Sequence, residues 1–305
     1  MKLFLFEFAT CGDEVPEQIA VEGLAMFKTL LKGFSKHFEI SSFVKSEFKD
    51  YFNLPDGKID EIESYLEKAD AFLIVAPEDD YTLLRLTEKA EKFCENLGSS
   101  SKAIAVTSDK WKLYKKLKNR VLMPKTSKKE LGGSFLIKPR VSCGGEGIRF
   151  SSEVPKGYIA QEFVKGENLS VSLIVGDEIR AVSVNEQLIE DFRYKGAIVP
   201  ARISKERAIE VCEIAMNAVE AIKGLNGYVG VDVVYSDQPY VIEVNARITT
   251  PCIAFEKAYA TNVADMIMGE SPRGTFRRQK IEKGNFEDFF TKVGNYALRL
   301  VDLEA

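Results

Sequence analysis

The stretch Tyr228-Val-Gly-Val-Asp232-Val-Val-Tyr235-Ser-Asp-Gln-Pro239-Tyr240-Val-Ile-Glu243-Val-Asn245-Ala-Arg247 carries the decisive pattern of this chain. Two β-branched runs around a polar Ser-Asp-Gln-Pro segment read as an antiparallel hairpin. With residues 236–239 as a four-residue loop, Tyr235 faces Tyr240 and Asp232 falls directly opposite Glu243. One face then carries Asp232, Val234, Val241, Glu243 and Asn245; the other carries Val231, Val233, Ile242 and Val244. Carboxylates opposed in this way sit with Cβ atoms ~4.5–5.5 Å apart and repel, so the hairpin needs something to neutralise them. A hard divalent cation does so, since Mg²⁺ takes a few oxygen ligands and keeps positions open for phosphates. Asn245 would add a neutral oxygen, and Arg247 a fixed positive charge just beyond. The plain alternative is the solvated polar face of an ordinary hairpin.

Three further segments upstream carry possible chemistry. Phe135-Leu-Ile-Lys138-Pro-Arg-Val-Ser142-Cys-Gly144-Gly145-Glu-Gly147 reads as a buried strand ending in a lysine and a glycine-rich loop. Such a loop lets backbone N–H groups approach phosphate oxygens, with Lys138 offsetting their charge. It matches neither G-x-x-x-x-G-K-[ST] nor G-x-G-x-x-G. A hairpin turn of no function is the alternative. Gln161-Glu162-Phe163-Val164-Lys-Gly-Glu167-Asn168 is a strand running into a turn; its backbone can present donors and acceptors to an adenine edge, and Glu167 or Asn168 can hold ribose hydroxyls. Thr107-Ser-Asp-Lys110 places a lysine at a helix start, within reach of a phosphate. The basic run that follows, through Lys129, is by itself a solvated helix face.

Around this middle, the first hundred residues alternate strand and helix patterns. Lys2–Phe8, Asp70–Pro77 and Ala103–Thr107 read as strands. A helix opens at Pro16 with Ile19, Gly23, Met26, Phe27, Leu30 and Leu31 on one stripe, and Tyr81–Leu97 reads as another. That alternation predicts a parallel sheet. Phe135–Lys138, Tyr158–Val164, Ser170–Val175 and Ile179–Val184 read as short β segments. Ser204 caps a helix with Ile209, Cys212, Met216, Val219 and Ile222 on its apolar stripe. The last thirty residues give no clear pattern.

Composition removes several classes of function. The 305 residues suggest two domains, and a net charge of −4 leaves no basic field for nucleic acid. The longest apolar run, Ala71–Ala76, is far short of a membrane span, so the expectation is a soluble, cytoplasmic protein. One histidine, His37, excludes multi-histidine metal centres and leaves little scope for a Ser/His or Cys/His nucleophile. Five scattered cysteines (Cys11, Cys94, Cys143, Cys212, Cys252) without C-x-x-C argue against disulfide or thiolate-zinc frameworks. Chemistry here rests on Lys, Arg, Asp, Glu and backbone amides.

Taken in order, Ser108-Asp-Lys110, Ile137-Lys-Pro-x₄-Gly-Gly-x-Gly147, Gln161-Glu-Phe-Val-x-Gly-Glu167 and Val231-Asp…Glu243-Val-Asn-Ala-Arg247 resemble the ATP-grasp superfamily of carboxylate–amine ligases, over about 105–250. The resemblance implies an N-terminal α/β domain over 1–107, followed by a two-lobed α+β grasp fold over 108–275. The smaller lobe spans about 108–165, and 276–305 has no assigned role. ATP is the implied co-substrate, with Mg²⁺ or Mn²⁺, two ions, as cofactor. Carried over by motif, Lys110 and Lys138 are the ATP lysines, Lys138 also acting in catalysis. Ser142, Gly144, Gly145 and Gly147 belong to the loop closing over the phosphates, and Glu162, Phe163 and Val164 to the adenine hinge. Glu167 and Asn168 align equally well with the ribose position. Asp232, Glu243 and Asn245 resemble the metal ligands, and Arg247 the arginine that steadies an acyl-phosphate. The family's arginine two residues before the first metal carboxylate is missing, because Gly230 stands there; Arg193, Lys195 or Arg247 are candidates for its role.

Phe6-Glu-Phe…Glu22-Gly-Leu-Ala-Met26 and Asn185-Glu-Gln-Leu-Ile189…Tyr194-Lys-Gly…Pro200 further resemble one archaeal branch of that superfamily, active in methanofuran biosynthesis. That likeness implies small-molecule substrates: the side-chain carboxylate of glutamate, and tyramine as the amine. Arg193, Arg202 and Arg247 are candidates to hold the amino acid. A ligase for another amino acid and amine, or an ATP-binding protein without turnover, are the rival readings. A homodimer stays open, and neither nucleic acid nor a membrane is an expected partner.

Overall fold

The structure is a computed structural model that describes residues 1–274 and 277–304. The N-terminal sheet begins with β1 (Lys2–Glu7), almost wholly buried; α1 (Phe8–Cys11) follows, capped by the Glu7 carboxylate, which accepts from Ala9 and Thr10 N–H. Then come α2 (Glu17–Phe34), β2 (Glu39–Ser41), α3 (Ile62–Leu66), β3 (Ala71–Val75), α4 (Thr82–Ala90) and β4 (Glu95–Asn96). The four strands run in the order β2-β1-β3-β4, all parallel, as the strand–helix alternation predicts.

Two expectations for this region are corrected. Ala103–Thr107 is not a strand but lies in α5 (Ser101–Thr107), where the Ser100 hydroxyl accepts from Ala103 N–H and Ala103, Ile104 and Thr107 form one buried stripe. A five-residue apolar run fits a buried strand or a helical turn equally well, and the cap decides. The helix expected over 81–97 stops at Ala90, because Glu95–Asn96 pairs with Ala71–Phe72 as the fourth strand.

After α6 (Lys110–Leu117) a small antiparallel sheet forms from β5 (Thr126–Ser127), β6 (Phe135–Pro139), β7 (Arg149–Ser151) and β8 (Tyr158–Gln161), in the order β5-β8-β6-β7. The large antiparallel sheet contains β9 (Glu167–Val175), β10 (Ile179–Glu190), β11 (Arg193–Val199), β12 (Gly227–Tyr235), β13 (Pro239–Asn245), β14 (Gln279–Gly284), β15 (Thr291–Val293) and β16 (Tyr296–Asp302). Its order is β13-β12-β9-β10-β11-β14-β16-β15. The unpatterned final residues therefore extend this sheet. They also reach back to α2, where the Thr291 hydroxyl donates to Val21 O at 3.0 Å. The expected boundary between 275 and 276 falls on residues outside those described.

Helix α7 (Lys205–Glu220) packs on β9, β10, β12 and β13. Its buried face is Val211, Ala215, Ala218 and Val219, whereas Ile209 of the expected stripe is exposed. Small residues let the helix sit close to the sheet, and the larger apolar side chains flank that contact. The large sheet also carries buried polar side chains at alternate positions: Asn185 Nδ2 donates to Ser172 Oγ at 3.0 Å, and the Tyr228 hydroxyl to Ser172 Oγ at 2.8 Å. The carboxylate pair belongs to this polar surface. Among the described residues no helix is long and apolar enough to cross a membrane.

Candidate active site

The β12–β13 hairpin brings Asp232 opposite Glu243 by a route the sequence does not reveal. Its loop has three residues, 236–238, so Tyr235 pairs with Pro239, Val234 with Tyr240 and Val233 with Val241. A bulge then absorbs Ile242, after which Asp232 pairs with Glu243, Val231 with Val244 and Gly230 with Asn245. The shorter loop and the extra residue cancel. The expected faces are corrected beyond the bulge: Val241 joins Val233 in the core, where both are buried. A side chain at 230 would meet the Thr249 methyl at 2.8 Å, so this backbone has no room for the family's arginine.

Asp232 is held by Gln187 Nε2 at 2.9 Å and Asn245 Nδ2 at 3.3 Å. Burial, and then the neighbouring Glu243 charge, push its carboxyl up to about 7. Glu243 accepts from Lys110 Nζ at 2.9 Å. Lys110 is the first residue of α6, fixed by the Asp109 cap, whose carboxylate accepts from Trp111 and Lys112 N–H and pairs with Arg140. Lys110 Nζ also donates to Ser142 O at 2.7 Å, tying it to the glycine loop. Burial alone would lower the Lys110 ammonium, but Glu243 carries it above its usual value.

Lys138 at the end of β6 behaves differently. Its side chain is 7% exposed, and it has no hydrogen-bond or ion-pair partner among the described residues. Burial drives its ammonium down to about 8, against the pull of Glu243 and with the push of Lys110. An unmatched buried cation beside two carboxylates is arranged for an anion that arrives later.

Arg247 projects from the end of β13 to Glu78, with Nε and Nη2 at 2.8 and 2.9 Å from its carboxylate oxygens. Burial opposes the charge, but Glu78 raises the guanidinium further. Glu78 escaped the sequence reading; its signal is a position three residues past the end of β3, since ligands of parallel sheets gather at the strands' carboxyl ends. The next residue, Asp79, accepts from Cys143 Sγ at 2.8 Å, and Asp80 and Tyr81 adopt φ of 50° and 57°. The segment after β3 thus touches both the arginine and the glycine loop.

The glycine loop itself crosses to the large sheet. Gly145, at φ +82°, lies against the Phe192 carbonyl in the β10–β11 turn so closely that any Cβ would overlap it. Phe192 also meets Phe150 and Phe163, ring centroids 5.7 and 6.3 Å apart, and these last two meet at 5.2 Å. No sequence pattern announces this trio, because its members come from three separate segments.

The hinge is open by comparison. The strand expected to reach Val164 stops at Gln161, where its pairing with Leu136 and Thr126 ends. Glu162 N–H donates to Lys125 O at 2.9 Å, while Phe163 and Val164 lie outside any strand, Phe163 exposed. Glu167 is bound to Arg207 at 2.7 Å. Asn168, Arg202 and Glu167 share the wall of a cleft of about 550 Å³ with Glu186, Gln187 and Lys195. Arg193 is exposed at the start of β11, and neither it nor Arg202 bonds to Asp232 or Glu243. His37 pairs with Asp265 at 2.7 Å and takes no part here; all five cysteines are free thiols.

Among the described residues no group of three or more His, Cys, Asp and Glu side chains is gathered to hold a metal. The donors on offer are two opposed carboxylates and an amide, a hard oxygen set. Burial first, and then the facing Glu243 charge, raise Asp232; a divalent cation fits that observation, and Asp232, Glu243 and Asn245 are the residues to hold it.

The comparisons agree with this geometry. Residues 107–251 match the model of an ATP-grasp domain, and residues 52–104 that of a pre-ATP-grasp domain. The chain belongs to the ATP-grasp family and is an ATP-dependent carboxylate–amine ligase. Enzymes of this kind use ATP with divalent metal ions. It is 40% identical over 262 residues to tyramine–L-glutamate ligase of Methanocaldococcus fervens, covering 81% of this chain and 87% of that one. The Methanocaldococcus jannaschii protein of the same name is 38% identical, with 81% and 82% covered. Among solved structures, an ATP-grasp superfamily protein from Archaeoglobus fulgidus is 58% identical and superposes with a TM-score of 0.97 over the whole of both chains.

Proposed function

We propose that the protein joins tyramine to the side-chain carboxylate of L-glutamate, consuming ATP and releasing ADP and phosphate, as a cytoplasmic step of methanofuran biosynthesis. The observation that carries the chemistry is the Asp232–Glu243 pair with Lys110 and Lys138 buried around it. The substrate pair is supported by the two named relatives.

The glutamate carboxylate attacks the γ-phosphate of ATP, and negative charge builds on the phosphoryl oxygens. Lys138, unpartnered and half-way to losing its proton at pH 8, gains a counter-charge when the phosphates arrive, and Lys110 holds the other side. Mg²⁺ or Mn²⁺, two ions, held by Asp232, Glu243 and Asn245, would supply further neutralisation. The glycine loop, Ser142 to Gly147, covers the phosphates and keeps water from the acyl-phosphate. Arg247, oriented by Glu78, steadies that intermediate until the amine displaces phosphate. Glu162, Phe163 and Val164 take the adenine, and Glu167 or Asn168 the ribose. In domain terms, residues 1–107 form the α/β unit and 108–275 the grasp unit.

The test is direct. Purified protein with ATP, Mg²⁺, glutamate and tyramine should yield γ-glutamyltyramine and one ADP per amide, detected by mass spectrometry. Phenylethylamine should still react and simple alkylamines far more poorly. Equal rates with tyramine, alkylamines and free amino acids would remove the aromatic-amine assignment and leave the general ligase.

A further inference from the structure

We propose that Glu22, Lys283 and Tyr194 form the pocket that recognises the α-ammonium and α-carboxylate of the amino-acid substrate. This rests on glutamate being the substrate and names the residues that select it. The three side chains come from α2, β14 and β11, and Thr250, just past β13, joins them: its hydroxyl donates to Glu22 Oε2 at 2.6 Å. Lys283 is ion-paired with Glu22, with side chains only 7% and 16% exposed. The Lys283 ammonium also lies 5.0 Å from the centre of the Tyr194 ring.

The Tyr194 hydroxyl is the unusual member. It is buried and makes no hydrogen bond of full geometry; the Thr250 hydroxyl, which already donates to Glu22, lies only within weaker reach. Buried hydroxyls are almost always partnered, so an orphan points to a group that is added later. The cluster lies within electrostatic reach of the reacting end: the Tyr194 hydroxyl feels Glu22 and Asp232, and Gln187, which holds Asp232, is on the strand β10 that pairs with Tyr194's own. One anion and one cation, buried side by side, match the two charges of an α-amino acid. In the bound state Lys283 and the Tyr194 hydroxyl take the α-carboxylate and Glu22 takes the α-ammonium. The side-chain carboxylate is then left to point toward the phosphate site. The two segments whose sequence resembles the archaeal branch, around Glu22 and around Tyr194, meet in this one place.

The experiment compares three acids, with ADP release measured at saturating ATP and tyramine: glutamate, 4-aminobutanoate (no α-carboxylate) and glutarate (no α-ammonium). Wild-type kcat/KM should favour glutamate over each analogue by on the order of 10²-fold, because each leaves a buried charge unpaired. Lys283→Met should bring 4-aminobutanoate within about tenfold of glutamate while glutarate stays poor, and Glu22→Gln should do the reverse. Lys283→Arg should restore discrimination. Tyr194→Phe, which removes only the hydroxyl, should raise the glutamate KM about tenfold and leave the ATP KM unchanged. Equal losses on all three acids, or an unchanged glutamate KM in Tyr194→Phe, would make the cluster a structural ion pair and overturn the inference alone. A wild-type enzyme that ignores glutamate overturns the substrate reading, and this inference with it.

Discussion

The carboxylate end of the hairpin and the hinge at 162–168, which we propose serve the same nucleotide, are built in opposite ways. At the hairpin, two buried lysines from α6 and β6 and two half-buried carboxylates from β12 and β13 are packed together, three of the four held by named partners. At the hinge, Glu162 and Phe163 are exposed, and the main ion pair, Glu167–Arg207, faces solvent. Charge placed in a dry, fixed setting acts strongly on a phosphoryl group and needs no rearrangement. Contacts in water hold a ligand only loosely. The difference separates turnover from nucleotide affinity, and variants at the two ends should report it.

The largest effect is expected at the pair itself. Glu243→Ala should lower kcat by 10³-fold or more, since it removes an oxygen donor and the partner of Lys110; activity within tenfold of wild type would break the contrast. Lys138→Met comes next, with a loss of order 10²-fold in turnover. Its thermal midpoint at pH 7 should not fall. In the folded protein this lysine has its value lowered to about 8, so the unfolded chain binds more protons between there and its usual value. Its charge therefore opposes folding below pH 8, and that penalty lifts as pH rises. The same titration sharpens the picture for wild type: ATP affinity should weaken as pH rises through about 8, and the step should vanish in Lys138→Met.

Smaller changes belong to the hinge. Glu167→Gln and Asn168→Ala should separate the two ribose candidates, the true one raising the ATP KM about tenfold with kcat unchanged. Arg207→Ala should alter that KM by only two- to threefold, roughly the worth of an exposed ion pair. A tenfold fall in kcat for Arg207→Ala would mean that hinge and hairpin are coupled after all.

The same contrast governs what the sequence discloses. The hairpin is legible because strand period and opposed charge are local facts, so Asp232 and Glu243 can be paired on paper. The pairing survives a wrong loop length only because Ile242 bulges; nothing local signals that compensation, and it moves Val241 to the other face. The parallel sheet is legible from alternation, but Ala103–Thr107 is not, because its fate depends on a cap at Ser100. The Glu78–Arg247 pair, the Phe150–Phe163–Phe192 trio and the Glu22–Lys283 pair are invisible for a different reason. Each joins residues far apart in the chain, and only the assembled fold brings them together.

The contact between α2 and the final strands of the large sheet has a consequence for how the molecule is made. Val21 and Thr291 are 270 residues apart, yet they share a hydrogen bond. At roughly 5–20 residues per second, a ribosome needs on the order of tens of seconds to go from one to the other. During that interval the face of α2 that β15 and β16 cover is without its lid, and Glu22 waits beside it without Lys283. The nascent protein therefore carries a helix surface that only late synthesis can close.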